Sequence, residues 1–296
     1  MKKKVLRISL MAISFIIILS IYNIVNANEI NSVNIVIKIS DDGVAHVYEE
    51  WQVTTDEGTE LKHSFKKMDK MQIINFKVKD EDDSEFAIEN NWNSNKDIES
   101  KKQKCGMKKS SDEVDLFWGI GEYGSKAYFL EYDITNFVTN LSDGNQMIKI
   151  EFFQKDREEI KHLGINMASE DLLFNDIAEV WGYGYKKGLC QINAVGEIYY
   201  SSLGKLETGD SVGIIAKFDA ESFQNVNTKL NRDFNYYYKD TIGETNSNLV
   251  SDKKDVVLIL ICIFAGLIVF IILTIINKDN RKNKIEKTTK NSNPNR

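Results

Sequence analysis

The feature that most constrains this chain is an apolar run of 21 residues, from Val256 to Ile276, broken only by Gly266 and Thr274. At about 1.5 Å per helical residue such a run spans about 30 Å, the thickness of a bilayer's hydrocarbon core. A helix apolar on every face has no solvated side to offer a soluble fold. The run is followed by Lys278, Arg281, Lys282, Lys284, Lys287 and Lys290. Positive charge beside a span stays on the cytoplasmic side. The sequence therefore predicts a single C-terminal transmembrane helix over 256–276, a basic cytoplasmic tail over 277–296, and an extracellular segment over 28–255.

The other end fits this topology. Lys2, Lys3 and Lys4 precede an apolar stretch from Val5 to about Val25, and Val25-Asn26-Ala27 offers small residues for cleavage. Residues 1–27 read as a signal peptide. An uncleaved anchor is the alternative, which Ser9, Ser14, Ser20 and Asn23 weaken by diluting the run. Both readings export the same segment. The only proline is Pro294, so no Leu-Pro-type wall-sorting motif exists, and anchoring falls to the lipid span.

Residues 28–255 carry 27 basic and 42 acidic side chains. A surface that acidic repels phosphate, which argues against nucleic-acid partners. Together with the two apolar segments, it excludes an ordinary cytosolic enzyme.

Within the exported segment the apolar period is two. Val33, Ile35, Ile37 and Ile39 alternate with Asn34, Lys38 and Ser40, Asp41-Asp42-Gly43 supplies turn chemistry, and Ala45, Val47, Trp51 and Val53 continue the pattern. Similar stretches recur at 73–79, 114–118, 126–138, 147–153, 160–168, 180–185, 198–202 and 212–219. Many short strands separated by Gly and Asn predict an all-β fold of two packed β-sandwich, immunoglobulin-like units. The division falls at the charged joint 154–159, giving a first sandwich over 28–157 and a second β-rich unit over 158–224. The lysine-rich stretch 94–113 reads as a long exposed loop. Residues 225–255 read as a polar stalk with a short helix near Tyr236.

Glu49 is the most informative single position. It falls on the apolar face of Ala45, Val47, Trp51 and Val53. A carboxylate buried without a partner costs several kcal/mol, so it must meet a cation or backbone donors, or lie at a sheet margin. The expectation is a structural ion pair with a lysine, with Trp51, Trp118 and Trp181 as further structural residues. Cys105 and Cys190 are the exported thiols. An oxidising exterior allows a disulfide between them; two unpaired, mostly buried thiols are the alternative.

The remaining motifs carry little chemistry. Gly119, Gly121 and Gly124 match G-x-G-x-x-G, but a strand-like stretch follows where a dinucleotide site needs a helix, so a hairpin turn is expected. The acidic stretch 80–85 has Glu85 where an EF-hand needs glycine, and reads as a solvated turn. His46, His63 and His162 lack helical metal-ligand spacing. Paired acids such as Glu49/Glu50 and Glu158/Glu159 do not mark a glycosidase without a defined separation across a cleft. No catalytic, cofactor-binding or metal residue is expected.

The segments Ile30–Ile37 and Asp42–Glu49, then Trp118-Gly119-Ile120 with 128–134, Trp181–Tyr185 and Tyr200–Gly204, resemble the extracytoplasmic domain of bacterial predicted membrane proteins grouped as domain-of-unknown-function family 2207. The resemblance covers roughly residues 30–225. It implies a β-rich exterior domain followed by transmembrane helices, and no activity. This chain departs from that pattern in having one downstream span and no long Gly-rich tail.

The expected role is a membrane-anchored, non-enzymatic binding or structural module of the bacterial cell envelope. Its partners are the lipid bilayer through one helix and either another envelope protein or a glycan. An envelope carboxylate-type hydrolase is the alternative. A sensor reporting inward ranks lower, because topology and lipid attraction account for the charge of the tail.

Overall fold

The computed structural model describes residues 28–243, which form one compact unit. The first hairpin is β1 (Glu29–Ile39) and β2 (Ala45–Thr55), joined at Gly43, whose φ of +75° suits glycine. Alternate residues of both strands are buried, including Val33, Ile35, Ile37 and Ile39 on β1 and Ala45, Val47, Glu49, Trp51 and Val53 on β2. The later strands are β3 (Glu60–Lys66), β4 (Gln72–Asp80), β5 (Ala87–Ile88), β6 (Lys104–Lys109), β7 (Glu113–Gly119), β8 (Gly124–Thr135), β9 (Thr139–Asn140) and β10 (Gln146–Phe153). They continue with β11 (Leu163–Ser169), β12 (Ala178–Gly184), β13 (Gly188–Ile192), β14 (Ile198–Ser202) and β15 (Val212–Phe218). Two helices complete the unit, α1 (Ile98–Lys101) and α2 (Phe234–Ile242).

The strands form a seven-stranded sheet, β13-β14-β11-β1-β2-β8-β4, and two four-stranded sheets, β12-β15-β10-β9 and β3-β7-β6-β5. Side chains from all three sheets enter one continuous core. The all-β expectation matches this architecture, but the division into two sandwiches does not. β11, from beyond residue 158, pairs in parallel with β1 from Val33↔Leu163 to Ile39↔Ser169. The boundary at 157/158 therefore separates strands that belong to one sheet. Periodicity tells which face of a strand is buried, and a non-local partner leaves no local mark.

Two further corrections concern polar stretches. The expected loop over 94–113 contains α1, β6 and the fully buried Cys105 and Lys101. Lys101 escapes the cost of burial by pairing with Glu60 at 2.6 Å and donating to Thr59 and Ser94. The first part of the expected stalk is packed: α2 lays Phe234 and Ile242 against Leu141, Met147 and Ile215 in a second, smaller core. Asp233 caps the helix by accepting from the Tyr236 amide.

No helix among the described residues is long and apolar enough to cross a membrane. The expected span bounded by Val256 and Ile276, the signal peptide, the rest of the stalk and the basic tail lie outside the described residues.

Candidate functional site

Strand β2 carries side chains with opposite fates on its two faces. Glu49 points into the core with no exposed surface, and accepts hydrogen bonds from Trp51 Nε1 at 2.6 Å and from the Tyr132 hydroxyl. Its cation is His63 on β3, with Nδ1 at 3.1 Å, and not the expected lysine. His63 Nε2 lies 2.8 Å from the Phe152 carbonyl on β10. With a carboxylate on one side and a carbonyl on the other, both ring nitrogens face acceptors, an arrangement that a ring carrying both N–H groups satisfies. Burial pushes the Glu49 carboxyl up, but the His63 charge and the bonds from His63, Tyr132 and Trp51 outweigh it and hold it below its ordinary range. Burial, then Glu49, push the Tyr132 hydroxyl well above its own range, so it stays a donor. One histidine thus joins all three sheets, among Trp51, Phe65 and Phe153. Every polar atom of the Glu49 and His63 side chains has a protein partner, and these bonds tie the three layers to one another.

The opposite face of β2 is open. Register places Lys38, His46 and Asp133 in one cross-strand row and Val36, Tyr48, Glu131 and Lys77 in the next. His46 Nδ1 lies 2.7 Å from Asp133 Oδ1, and Asn75 Nδ2 donates to Asp133 Oδ2 at 2.6 Å. Asn75 sits at the irregularity in β4 with φ of +57°, a conformation asparagine tolerates better than most residues. These contacts fix the imidazole and leave Nε2 without a partner among the described residues. Tyr48 is 44% exposed and stacks on Phe129 with centroids 6.1 Å apart. A cavity of about 980 Å³ lies over these rows, walled on its far side by residues of the β5–β6 region such as Ile88, Glu89 and Met107. A second recess of about 350 Å³ shares Tyr48, Lys77 and Glu131 with it. Concavities of this size with a few oriented polar groups are typical of ligand sites.

The other candidates fall elsewhere. Trp118 is fully buried and meets Trp51 edge-on at 5.2 Å, whereas Trp181 is half-buried and packs against Phe234 and Tyr238 of α2. Cys105 and Cys190 are both free thiols, on strands of different sheets. Cys105 is buried and Cys190 half-buried, and burial raises their pKa values to about 11 and about 12, which keeps both thiols protonated. Gly119, Gly121 and Gly124 form the connection from β7 to β8, which belong to different sheets, so the turn is not a hairpin. A Cβ at Gly119 would lie 2.0 Å from the Lys101 carbonyl, which accounts for the glycine by close packing. In the acidic stretch, Asp80 accepts from the Asp82 and Ser84 amides as a turn residue does. Glu49 and Glu50 face opposite sides of the sheet, and Glu159 is paired with Lys205. His162 is exposed. Among the described residues, no group of three or more His, Cys, Asp or Glu is placed to hold a metal ion.

One signal for the inner cluster went unread in the sequence. Leu61, His63 and Phe65 alternate with polar residues just as the β2 series does. A histidine interrupting one apolar series and a glutamate interrupting another are natural partners. The outer site carries no such mark, because its residues occupy positions where polar side chains are unremarkable.

No family model matches the chain, and no curated protein matches it. Among solved structures it is similar to native leukotriene A4 hydrolase from Saccharomyces cerevisiae, with a TM-score of 0.39 and 8% identity over 64% of this chain and 29% of that one. An M1 zinc metallopeptidase from Deinococcus radiodurans gives a TM-score of 0.32 and 8% identity over 64% of this chain and 42% of that one. The chain thus spans less than half the length of either. Likeness at this level assigns no activity.

Proposed function

We propose that this chain is a single-pass, membrane-anchored surface protein of the bacterial cell envelope whose exterior unit is a non-enzymatic binding module. Residues 1–27 direct export, the run from Val256 to Ile276 crosses the bilayer, and residues 277–296 remain in the cytoplasm. The binding role is carried by one observation: the cavity of about 980 Å³ lies on the outward face of the seven-stranded sheet, over an imidazole oriented on three strands. The location rests on the apolar run and the basic residues after it.

The hydrolase alternative has one point in its favour, since Glu89 lines the same cavity as Glu131 and Asp133. A two-carboxylate hydrolysis needs one of its acids held protonated. Glu89 is shifted the wrong way, held below its ordinary range by the hydrogen bond from Lys96. Asp133 already has both oxygens engaged. The binding reading is therefore favoured.

Protease shaving of intact cells tests the assignment. Epitopes within 28–255 should disappear while one placed after Arg296 survives. Protection of the exterior epitopes until the cells are permeabilised would overturn it.

A further inference from the structure

The balance of charge and shape on the outer face narrows the class of ligand. The segment 28–255 as a whole carries 27 basic against 42 acidic side chains, yet the cavity over His46 is lined by three lysines (Lys38, Lys77, Lys109) and three acids (Glu89, Glu131, Asp133). A polycation would meet the lysines. A polyanion would meet the acids and the repulsion of the surrounding surface. A wholly apolar ligand would strip water from charged and hydrogen-bonding groups without replacing their bonds. What remains is an uncharged molecule rich in hydroxyl groups that also has an apolar face.

The arrangement of side chains matches that description. Tyr48, supported from beside by Phe129, offers a flat exposed ring on which the C–H face of a sugar can rest. Around it stand groups suited to hydroxyls: the free Nε2 of His46, the Asn75 carbonyl oxygen, and the Glu131 and Lys77 side chains. His46 and Asn75 are held in place through Asp133, so little side-chain freedom is lost when a ligand binds. The adjoining recess shares Tyr48, Lys77 and Glu131, so the aromatic ring lies where two concavities meet, as a chain of linked rings requires. We propose that the outer face of the seven-stranded sheet binds a neutral glycan chain across Tyr48, with His46 and Asn75 reading its hydroxyls. This rests on the binding-module reading above and specifies its ligand.

The test is titration of the full chain in detergent micelles with neutral hexasaccharides of β-linked glucose, β-linked N-acetylglucosamine and α-linked glucose. Polylysine and polyglutamate serve as charged comparators. At least one neutral sugar should bind, with affinity changing less than about twofold as salt is raised, because no net charge is neutralised. Tyr48→Ala should weaken binding by about tenfold, and His46→Ala by a comparable factor. Tyr236→Ala, an exposed tyrosine on α2, should leave it unchanged. Unfolding curves of each variant guard against loss of fold. Sugar binding that survives both Tyr48→Ala and His46→Ala would overturn the proposal, as would the absence of binding by every neutral sugar. Salt-sensitive binding of a charged comparator, lost in those two variants, would overturn the glycan assignment while retaining the binding face. The shaving experiment judges the anchored topology independently.

Discussion

Two histidine–carboxylate pairs lie on opposite sides of one strand, and their surroundings give them different roles. The side chains of His63 and Glu49 are 2% and 0% exposed, against 52% and 22% for His46 and Asp133. In the inner pair every polar atom has a protein partner, and both histidine nitrogens are committed. In the outer pair one nitrogen is committed and the other has no partner among the described residues, on a side chain that lines a cavity. The same two functional groups thus serve as a bolt between sheets in one place and as an oriented, available contact in the other. Burial decides which, because a buried charge tolerates no vacancy and an exposed one can use water until a ligand replaces it.

The comparison is sharpest if one partner is removed from each pair. Glu49→Gln leaves the His63 charge buried without its counter-ion and should destabilise the unit by about 3–5 kcal/mol, read from chemical denaturation. A change under about 0.5 kcal/mol would show that the inner pair holds nothing together. Acid should act in the same direction. Because the folded Glu49 carboxyl titrates below its ordinary value, its stabilisation is complete above that value and is lost as pH falls through the lowered one. The native chain should therefore lose more stability than Glu49→Gln across that acid window; parallel acid limbs would contradict the assignment.

Tyr132→Phe removes one donor to the carboxylate and keeps the ring, so a loss of about 2 kcal/mol is expected. The smallest effect belongs outside. His46→Ala should change stability by less than about 1 kcal/mol, as exposed ion pairs do, while impairing ligand binding. A loss equal to that of Glu49→Gln would erase the distinction between the two faces.

Much of the inner face was legible in the chain, and little of the outer. The alternation of Val33, Ile35, Ile37 and Ile39, the turn at Gly43 and the misfit of Glu49 follow from a period of two and the cost of burying charge. The partner of Glu49 was within reach, through His63 in its own apolar series, but an expectation of lysine hid it. Lys101 was out of reach: six lysines between positions 96 and 109 read as solvated, and nothing local marks the one that Glu60 draws inside. The parallel pairing of β1 with β11 and the meeting of His46 with Asp133 depend on contacts more than 80 residues apart in sequence. Such contacts are set by how strands choose neighbours, and a strand's own residues specify only the face it buries.

Thiol labelling of intact cells tests the proposed outward location and the availability of the outer face at once. The native thiols Cys105 and Cys190 are held protonated by burial and should stay unlabelled by a membrane-impermeant maleimide while the protein is folded. Lys38→Cys places a thiol on the exposed row beside His46. The account predicts that this variant labels on intact cells at the rate seen after permeabilisation. Labelling only after the membrane is opened would contradict it.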